Sequence, residues 1–199
     1  GERFYITGSG GLDYMDLEKF YLQTKHWKLF LYFILFSVIS QIIAVPALLN
    51  RGNLPVGILL GLIGSVGLLA FLGWFYFIIK GLSKKIEKTG LKVFRASYLF
   101  FVIFPALYLL IVFIVLPYGF TISTEGSSVG TVAQMIIIPA HLLSMFSIFF
   151  MMYKAAKTVK IAEFQRKVTF GDFAGEFFLM WFFPLGIWIV QPKINKFAE

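Results

Sequence analysis

Cysteine is absent from this chain of 199 residues, which excludes disulfide bonds, thiolate catalysis and cysteine-ligated zinc. Charged residues are also scarce at 14% of the chain, whereas hydrophobic residues make up 59%. A soluble domain averages about 25% charged and about 45–50% apolar residues. The composition therefore predicts an integral membrane protein, and it excludes a cytosolic enzyme, a DNA-binding domain and a secreted disulfide scaffold.

Asp, Glu, Lys and Arg are missing altogether from four long apolar segments. A bilayer core of about 30 Å requires about 20 apolar residues in a helix, and lipid offers no partner to an unpaired backbone group. The sequence therefore predicts an all-α fold built on a four-transmembrane-helix bundle. The predicted spans cover residues 29–49, 54–79, 96–119 and 131–153.

The two ends of the chain differ from this transmembrane domain, which we place at residues 15–168. Residues 1–14 have the glycine- and serine-rich composition of a flexible leader, either a non-native linker or a genuine polar arm. Residues 169–199 contain a fifth apolar run of fourteen residues, 177–190. A run this short is more often interfacial or re-entrant than spanning. We therefore predict a re-entrant or interfacial helical segment there, with a true fifth span as the alternative.

Basic residues lie almost entirely on one side of the predicted bundle. Residues 15–28, the connector after the second span and the segment after the fourth carry fourteen Lys or Arg residues, against Arg51 alone in the two opposite loops. The positive-inside rule then places both termini in the cytoplasm. The Phe- and Lys-rich composition favours a bacterial source, so the predicted location is the bacterial inner membrane.

The basic segments predict contact with anionic lipid headgroups or with a partner protein. The helical spacing of Lys154, Lys157 and Lys160 indicates a helix lying along the inner leaflet. The aromatic interleaving typical of nucleic-acid binding is lacking, so nucleic acid is not an expected partner. The candidate contacts are Lys84, Lys85, Lys88, Lys157 and Lys160.

Polar side chains at membrane depth form a second group of candidates. His141 lies near the centre of the fourth predicted span, and an ionisable group at that depth is costly. The spacing predicts an intramembrane polar network, to which Tyr108 adds a hydroxyl. Its role is either structural, with a neutral histidine, or that of a proton relay or polar ligand site. The predicted members are Ser37, Gln41, Gln134, His141 and Ser144.

Small residues are concentrated in the second predicted span. Gly57, Gly61 and Ser65 follow the small-xxx-small spacing that lets helix backbones approach closely in lipid, with Gly64 beside them. The pattern predicts either packing within the chain or an interface in a homo-oligomer or with a partner. Spacing alone does not choose between these alternatives.

The carboxy-terminal run around Trp181, Pro184, Trp188 and Gln191 predicts a fixed, kinked geometry at the membrane interface. We expect Pro184 and Gly186 to break the helix and Pro192 to stop its continuation. Upstream, Thr169 and Asp172 have the spacing of a capping box. The motif serves either a partner protein or simple anchoring.

Catalytic motifs are missing from the sequence, including HExxH, GxSxG and a glycine-rich phosphate loop. We therefore predict a non-enzymatic accessory, scaffold or regulatory subunit without cofactor or metal. Its expected partners are the lipid bilayer with its anionic headgroups, and a second copy or another membrane protein. The alternative is a homo-oligomeric pore or small-solute, ion or proton transporter that uses the polar residues around His141.

Overall fold

The computed structural model describes residues 14–49, 54–87, 90, 91, 93, 95, 97–115 and 128–198. Over these ranges the regular structure is helical throughout, which confirms the all-α prediction. Seven helices follow one another along the described chain: α1 (Tyr14–Gln23), α2 (His26–Leu49), α3 (Leu54–Ile86), α4 (Tyr98–Val115), α5 (Ser128–Phe164), α6 (Phe170–Trp181) and α7 (Phe183–Ala198).

Three of the described helices are long and apolar enough to cross a membrane. The qualifying stretches are His26–Ile43 in α2, Ile58–Ile86 in α3 and Met135–Phe164 in α5, and α4 adds a shorter apolar stretch, Tyr98–Phe113. Helices of this length and composition are typical of a membrane protein.

Helices α3 and α5 extend further than the apolar runs that predict them. Residues 80–86 continue α3, and residues 154–164 continue α5. Residues 154–164 therefore belong to α5, and a helical segment along the inner leaflet stays a prediction. The reason for the continuation of α5 is an apolar stripe that persists beyond the span: Ala155, Ala156 and Val159 are fully buried. These small side chains keep α5 packed on its neighbours beyond Tyr153.

Helix α3 lies at the centre of the molecule, with α1, α2, α4, α5 and α7 packed around it. Its second half carries the core, where Trp74, Phe75, Ile78 and Ile86 are fully buried. The core thus lies towards the end of α3 that carries Lys80, Lys84 and Lys85, which we call the lysine-rich end.

Helices α6 and α7 form an antiparallel pair, which we call the carboxy-terminal hairpin. A break at Phe182 separates them, and Pro184 occupies the first turn of α7, where its missing N–H costs no hydrogen bond. A side chain at Gly186 would collide with the backbone of Leu179, so glycine permits the close approach. Pro192 lies inside α7, which continues to Ala198; the expectation that it stops the helix is wrong.

The tip of the hairpin inserts between α2, α3 and α5. The ring of Phe183 lies 4.9 Å from that of Phe33 and 5.0 Å from that of Phe71. Trp181 lies 4.9 Å from Phe149 on the other side. These edge-to-face contacts fix the tip beside the middle of α3.

Candidate functional site

A polar pair joins α4 and α5 on the outer surface of the bundle. The Tyr108 hydroxyl and His141 Nδ1 are 3.1 Å apart, within hydrogen-bond distance. His141 is exposed, and the adjacent Leu107 and Leu142 are 53% and 61% exposed. His141 therefore faces outward from an otherwise apolar surface, which we call the α4–α5 face, with the half-buried Tyr108 beside it.

The structure distributes the other members of the predicted polar network over two separate regions. Ser144 is buried one turn along α5 from His141, and Gln134 lies in α5 with its side chain outside the described part. Ser37 and Gln41 are exposed on α2, which packs against α3 and α7, whereas α5 packs against α3, α4 and α6. A network shared between α2 and α5 stays a prediction.

The small-residue face of α3 packs against α4 of the same chain. A Cβ on Gly61 would lie 3.1 Å from side-chain atoms of both Leu110 and Phe113, and one on Gly64 would lie 3.2 Å from Leu109. The Ser65 hydroxyl donates a 2.8 Å hydrogen bond to the carbonyl of Ala106. The surroundings of Gly57 fall outside the described part of the structure. These residues thus have an intrachain neighbour, and their use in an oligomer stays a prediction.

Gln191 is the polar centre of the hairpin. It is fully buried, and its Oε1 accepts a 2.9 Å hydrogen bond from the indole N–H of Trp74. Its Nε2 donates to the carbonyls of Tyr21 at 2.8 Å and Thr24 at 3.1 Å. Gln191 therefore links α7, α3 and the end of α1.

Asn195 reinforces this link one turn further along α7. Its Nδ2 donates to the carbonyls of Leu22 at 2.6 Å and Thr24 at 3.2 Å. The last carbonyls of a helix have no intrahelical partner. The two amide side chains of α7 supply those partners for α1.

A cluster of four charged residues closes the base of the hairpin. Glu176 Oε1 lies 2.9 Å from the ammonium groups of both Lys160 and Lys193, and Glu163 lies 2.9 Å from Lys160 and 3.8 Å from Lys193. The side chain of Glu176 is only 7% exposed, and that of Lys160 only 13%. The two positive and two negative charges thus join α5, α6 and α7. The expected contact of Lys160 with anionic lipid stays a prediction.

The carboxylates of α6 are held in their ionised form. Burial by itself raises the pKa of Glu176, but the hydrogen bonds from Lys193 and Lys160 outweigh it, so the pKa lies below the ordinary 4.5. Hydrogen bonds from the backbone N–H and hydroxyl of Thr169 lower the pKa of Asp172, and Arg166 adds to this. These bonds form the amino-terminal cap of α6 that the spacing predicts.

The lysines at the end of α3 have intrachain partners. Lys84 lies 3.1 Å from Glu18 of α1, and Lys85 donates a 3.2 Å hydrogen bond to the carbonyl of Phe197 in α7. Together with Leu22 and Gly81 these residues line an open groove of about 320 Å³. Lys88 lies outside the described residues.

A third basic group, which we call the α5 cation cluster, consists of Arg95, Lys154 and Lys157. The Lys154 ammonium lies 5.2 Å from the ring centroid of Phe150 and 5.9 Å from those of Tyr98 and Tyr153. Lys157 lies 5.9 Å from the Tyr153 ring, and Arg95 is close enough to repel Lys154 electrostatically. The aromatic rings hold the two lysines beside the start of α4.

Several residues in these sites have partners that sequence reasoning misses. Trp74, Asn195, Glu163 and Lys193 acquire their roles only when helices distant in sequence come together. An indole N–H or a carboxamide inside an apolar run is a usable signal, because each demands a partner when buried. Among the described residues no three His, Asp or Glu side chains are grouped as metal ligands.

The described part of the chain thus defines a helical protein with three helices suited to cross a membrane and a tightly packed carboxy-terminal hairpin. Comparison with protein families, curated proteins and solved structures finds no significant match.

Proposed function

We propose that this chain is a polytopic protein of the bacterial inner membrane, with four transmembrane helices and a re-entrant carboxy-terminal hairpin. The spans are α2, α3, α4 and α5, with α4 counted because its described 18 residues include no charged side chain. An apolar helix packed between two candidate spans has its most favourable surroundings inside the bilayer.

The depth of the hairpin tip supports re-entry. Phe183 contacts Phe71, which precedes Lys80 along α3 by about 14 Å at the helical rise of 1.5 Å per residue. Half of a bilayer core is about 15 Å. Both ends of the hairpin return to the lysine-rich end, since Glu176 pairs with Lys160 and Phe197 contacts Lys85. A segment that enters to the midplane and returns has this geometry.

The clustering of basic residues at one end supports cytoplasmic termini. Lys84 pairs with Glu18 near the amino terminus, and Lys160 and Lys193 share Glu176 near the carboxy terminus. The positive-inside rule assigns this end to the cytoplasm. Labelling of a cysteine at Glu199 by a membrane-impermeant reagent added from the periplasmic side would contradict the orientation.

Within that membrane the protein acts as a non-enzymatic accessory or scaffold subunit that binds another membrane protein through its α4–α5 face. The observation that supports this role is the exposed His141, hydrogen-bonded to the half-buried Tyr108. Polar groups that face lipid leave hydrogen-bonding capacity unused, and intramembrane histidines normally face protein or a water-filled cavity. A partner helix that covers the pair would supply the missing contacts.

The same pair supports a second candidate function. In a ring of identical copies, the α4–α5 face would line a central pore and give it Tyr108 and His141 as polar groups. The centre of a single copy is instead filled by Trp74, Phe75 and Ile78. A transport function therefore requires an oligomer.

Site-specific photo-crosslinking in native membranes tests the proposal. A photoreactive amino acid at Leu142 should give an adduct with a different protein, whereas one at Ile39, 54% exposed on α2, should give none. An adduct between two copies from Leu142 would replace the proposal by the pore. Equal adducts from both positions, or none from either, would contradict the assignment of the binding face.

A further inference from the structure

The three basic groups at the lysine-rich end differ in whether they are neutralised. Glu18 pairs with Lys80 and Lys84, and Glu163 and Glu176 pair with Lys160 and Lys193. Within the described ranges no carboxylate lies at ion-pair distance from any cation of the α5 cation cluster. Of the three groups, the α5 cation cluster is the one in which no cation has a carboxylate partner within the described ranges.

The cluster is also built to hold its charge in place. Tyr98 is buried, and its hydroxyl donates to the carbonyl of Val93, which fixes the ring that Lys154 contacts. Phe150 and Tyr153 present further ring faces to the same ammonium. Because the rings position the lysine stems, less conformational freedom is lost when an anion binds.

From this arrangement we propose that Arg95, Lys154 and Lys157 form a binding site for the phosphate group of an anionic phospholipid. Three neighbouring cations match the charge and acceptor oxygens of a phosphate. The half-buried Lys154 and its aromatic neighbours lie where acyl chains would meet the headgroup. The site rests on the proposed membrane placement but not on the partner-binding role.

The proposed lipid contacts therefore differ in part from those that the sequence predicts. Lys84 and Lys160 already have carboxylate partners, so they offer less unneutralised charge to a headgroup than Lys154 and Lys157. A surface that merely obeys the positive-inside rule would show no such difference between its lysines.

Native mass spectrometry of the full chain, titrated with phosphatidylglycerol, tests the site. Each lysine near an anionic surface contributes about fivefold in affinity, so K154Q/K157Q should weaken phosphatidylglycerol binding about 25-fold. The matched variant K80Q/K84Q, whose two lysines both pair with Glu18, should change it less than about twofold. If the double variant at 154 and 157 fails to fold, R95Q removes one exposed cation and should give about a fivefold loss.

Three results would overturn the site. Equal losses in both double variants would indicate a diffuse surface charge, and equal binding of phosphatidylcholine would indicate no anion selectivity. Inorganic phosphate that binds the lipid-free protein and competes with phosphatidylglycerol would assign the cations to a soluble anion. Failure of the unmodified chain to float with liposomes would instead contradict the membrane placement itself.

Discussion

Replacing Gln191 by methionine, a side chain of similar volume, removes the carboxamide and takes a hydrogen-bond partner from three groups, of which Thr24 keeps a second donor. The indole N–H of Trp74 loses its acceptor, and the carbonyls of Tyr21 and Thr24 lose a donor. A net hydrogen bond contributes about 1 kcal/mol, and a stranded buried polar group costs about 1–3 kcal/mol. Asn195 still donates to Thr24, which limits the loss. We expect the free energy of unfolding to fall by about 2–4 kcal/mol.

Reversible unfolding in mixed detergent and SDS micelles measures this free energy. Gln41→Met is the matched control, because Gln41 is exposed on α2 and should change stability by less than about 0.5 kcal/mol. Combining Gln191→Met with Trp74→Phe should cost less than the sum of the single changes, since both remove the same bond. A loss below about 0.5 kcal/mol for Gln191→Met would contradict a stabilising role of these hydrogen bonds.

Two further changes probe other contacts of the fold. Gly61→Leu should destabilise the chain by about 1–3 kcal/mol, because the new side chain meets Leu110 and Phe113. The same change at Gly175, which has open space around it, should be nearly neutral. Equal melting temperatures of the two variants would contradict the packing of α3 on α4. The depressed pKa of Glu176 contributes stability that is full above about pH 4.5 and lost as pH falls through the folded-state value. Glu176→Gln should lower the free energy of unfolding at pH 7 by about 1–3 kcal/mol, discounted for the partial exposure of Lys193. It should also reduce the loss of stability at acidic pH. An unchanged dependence of stability on pH would count against the ion pair.

Hydropathy predicts the long helices well because lipid leaves an apolar segment few alternatives to helix. The described bounds of α2, α3 and α4 begin or end within a few residues of the predicted spans. The helix ends are less predictable. Lysines in residues 80–86 and 154–160 mark the end of the apolar run, yet both helices continue because one face stays buried against neighbours.

The carboxy-terminal run shows where local signals fail. Pro192 has the sequence appearance of a helix stop, but α7 packs against α1, α2, α3 and α6, and these tertiary contacts outweigh the loss of one backbone hydrogen bond. Gln191 is singled out by its place in the motif. Its partners, Trp74 and the end of α1, depend on which helices become neighbours and cannot be read from spacing.

His141 illustrates the same limit for the candidate site. Its depth in the fourth predicted span marks it as a polar group that needs a partner. The structure supplies Tyr108 of α4, whereas Gln41 and Ser37 lie on a helix that packs against α3 and α7. The position of a residue within a predicted span indicates its depth. Its partner depends instead on which helices become neighbours in the fold.

The accessory-subunit proposal is tested most directly by the mass of the particle extracted in native nanodiscs, with its components identified by mass spectrometry. We expect this chain together with a stoichiometric amount of a different membrane protein. That protein should be lost when His141→Leu and Tyr108→Phe are combined. A closed ring of identical copies, or a single copy without a companion, would contradict it.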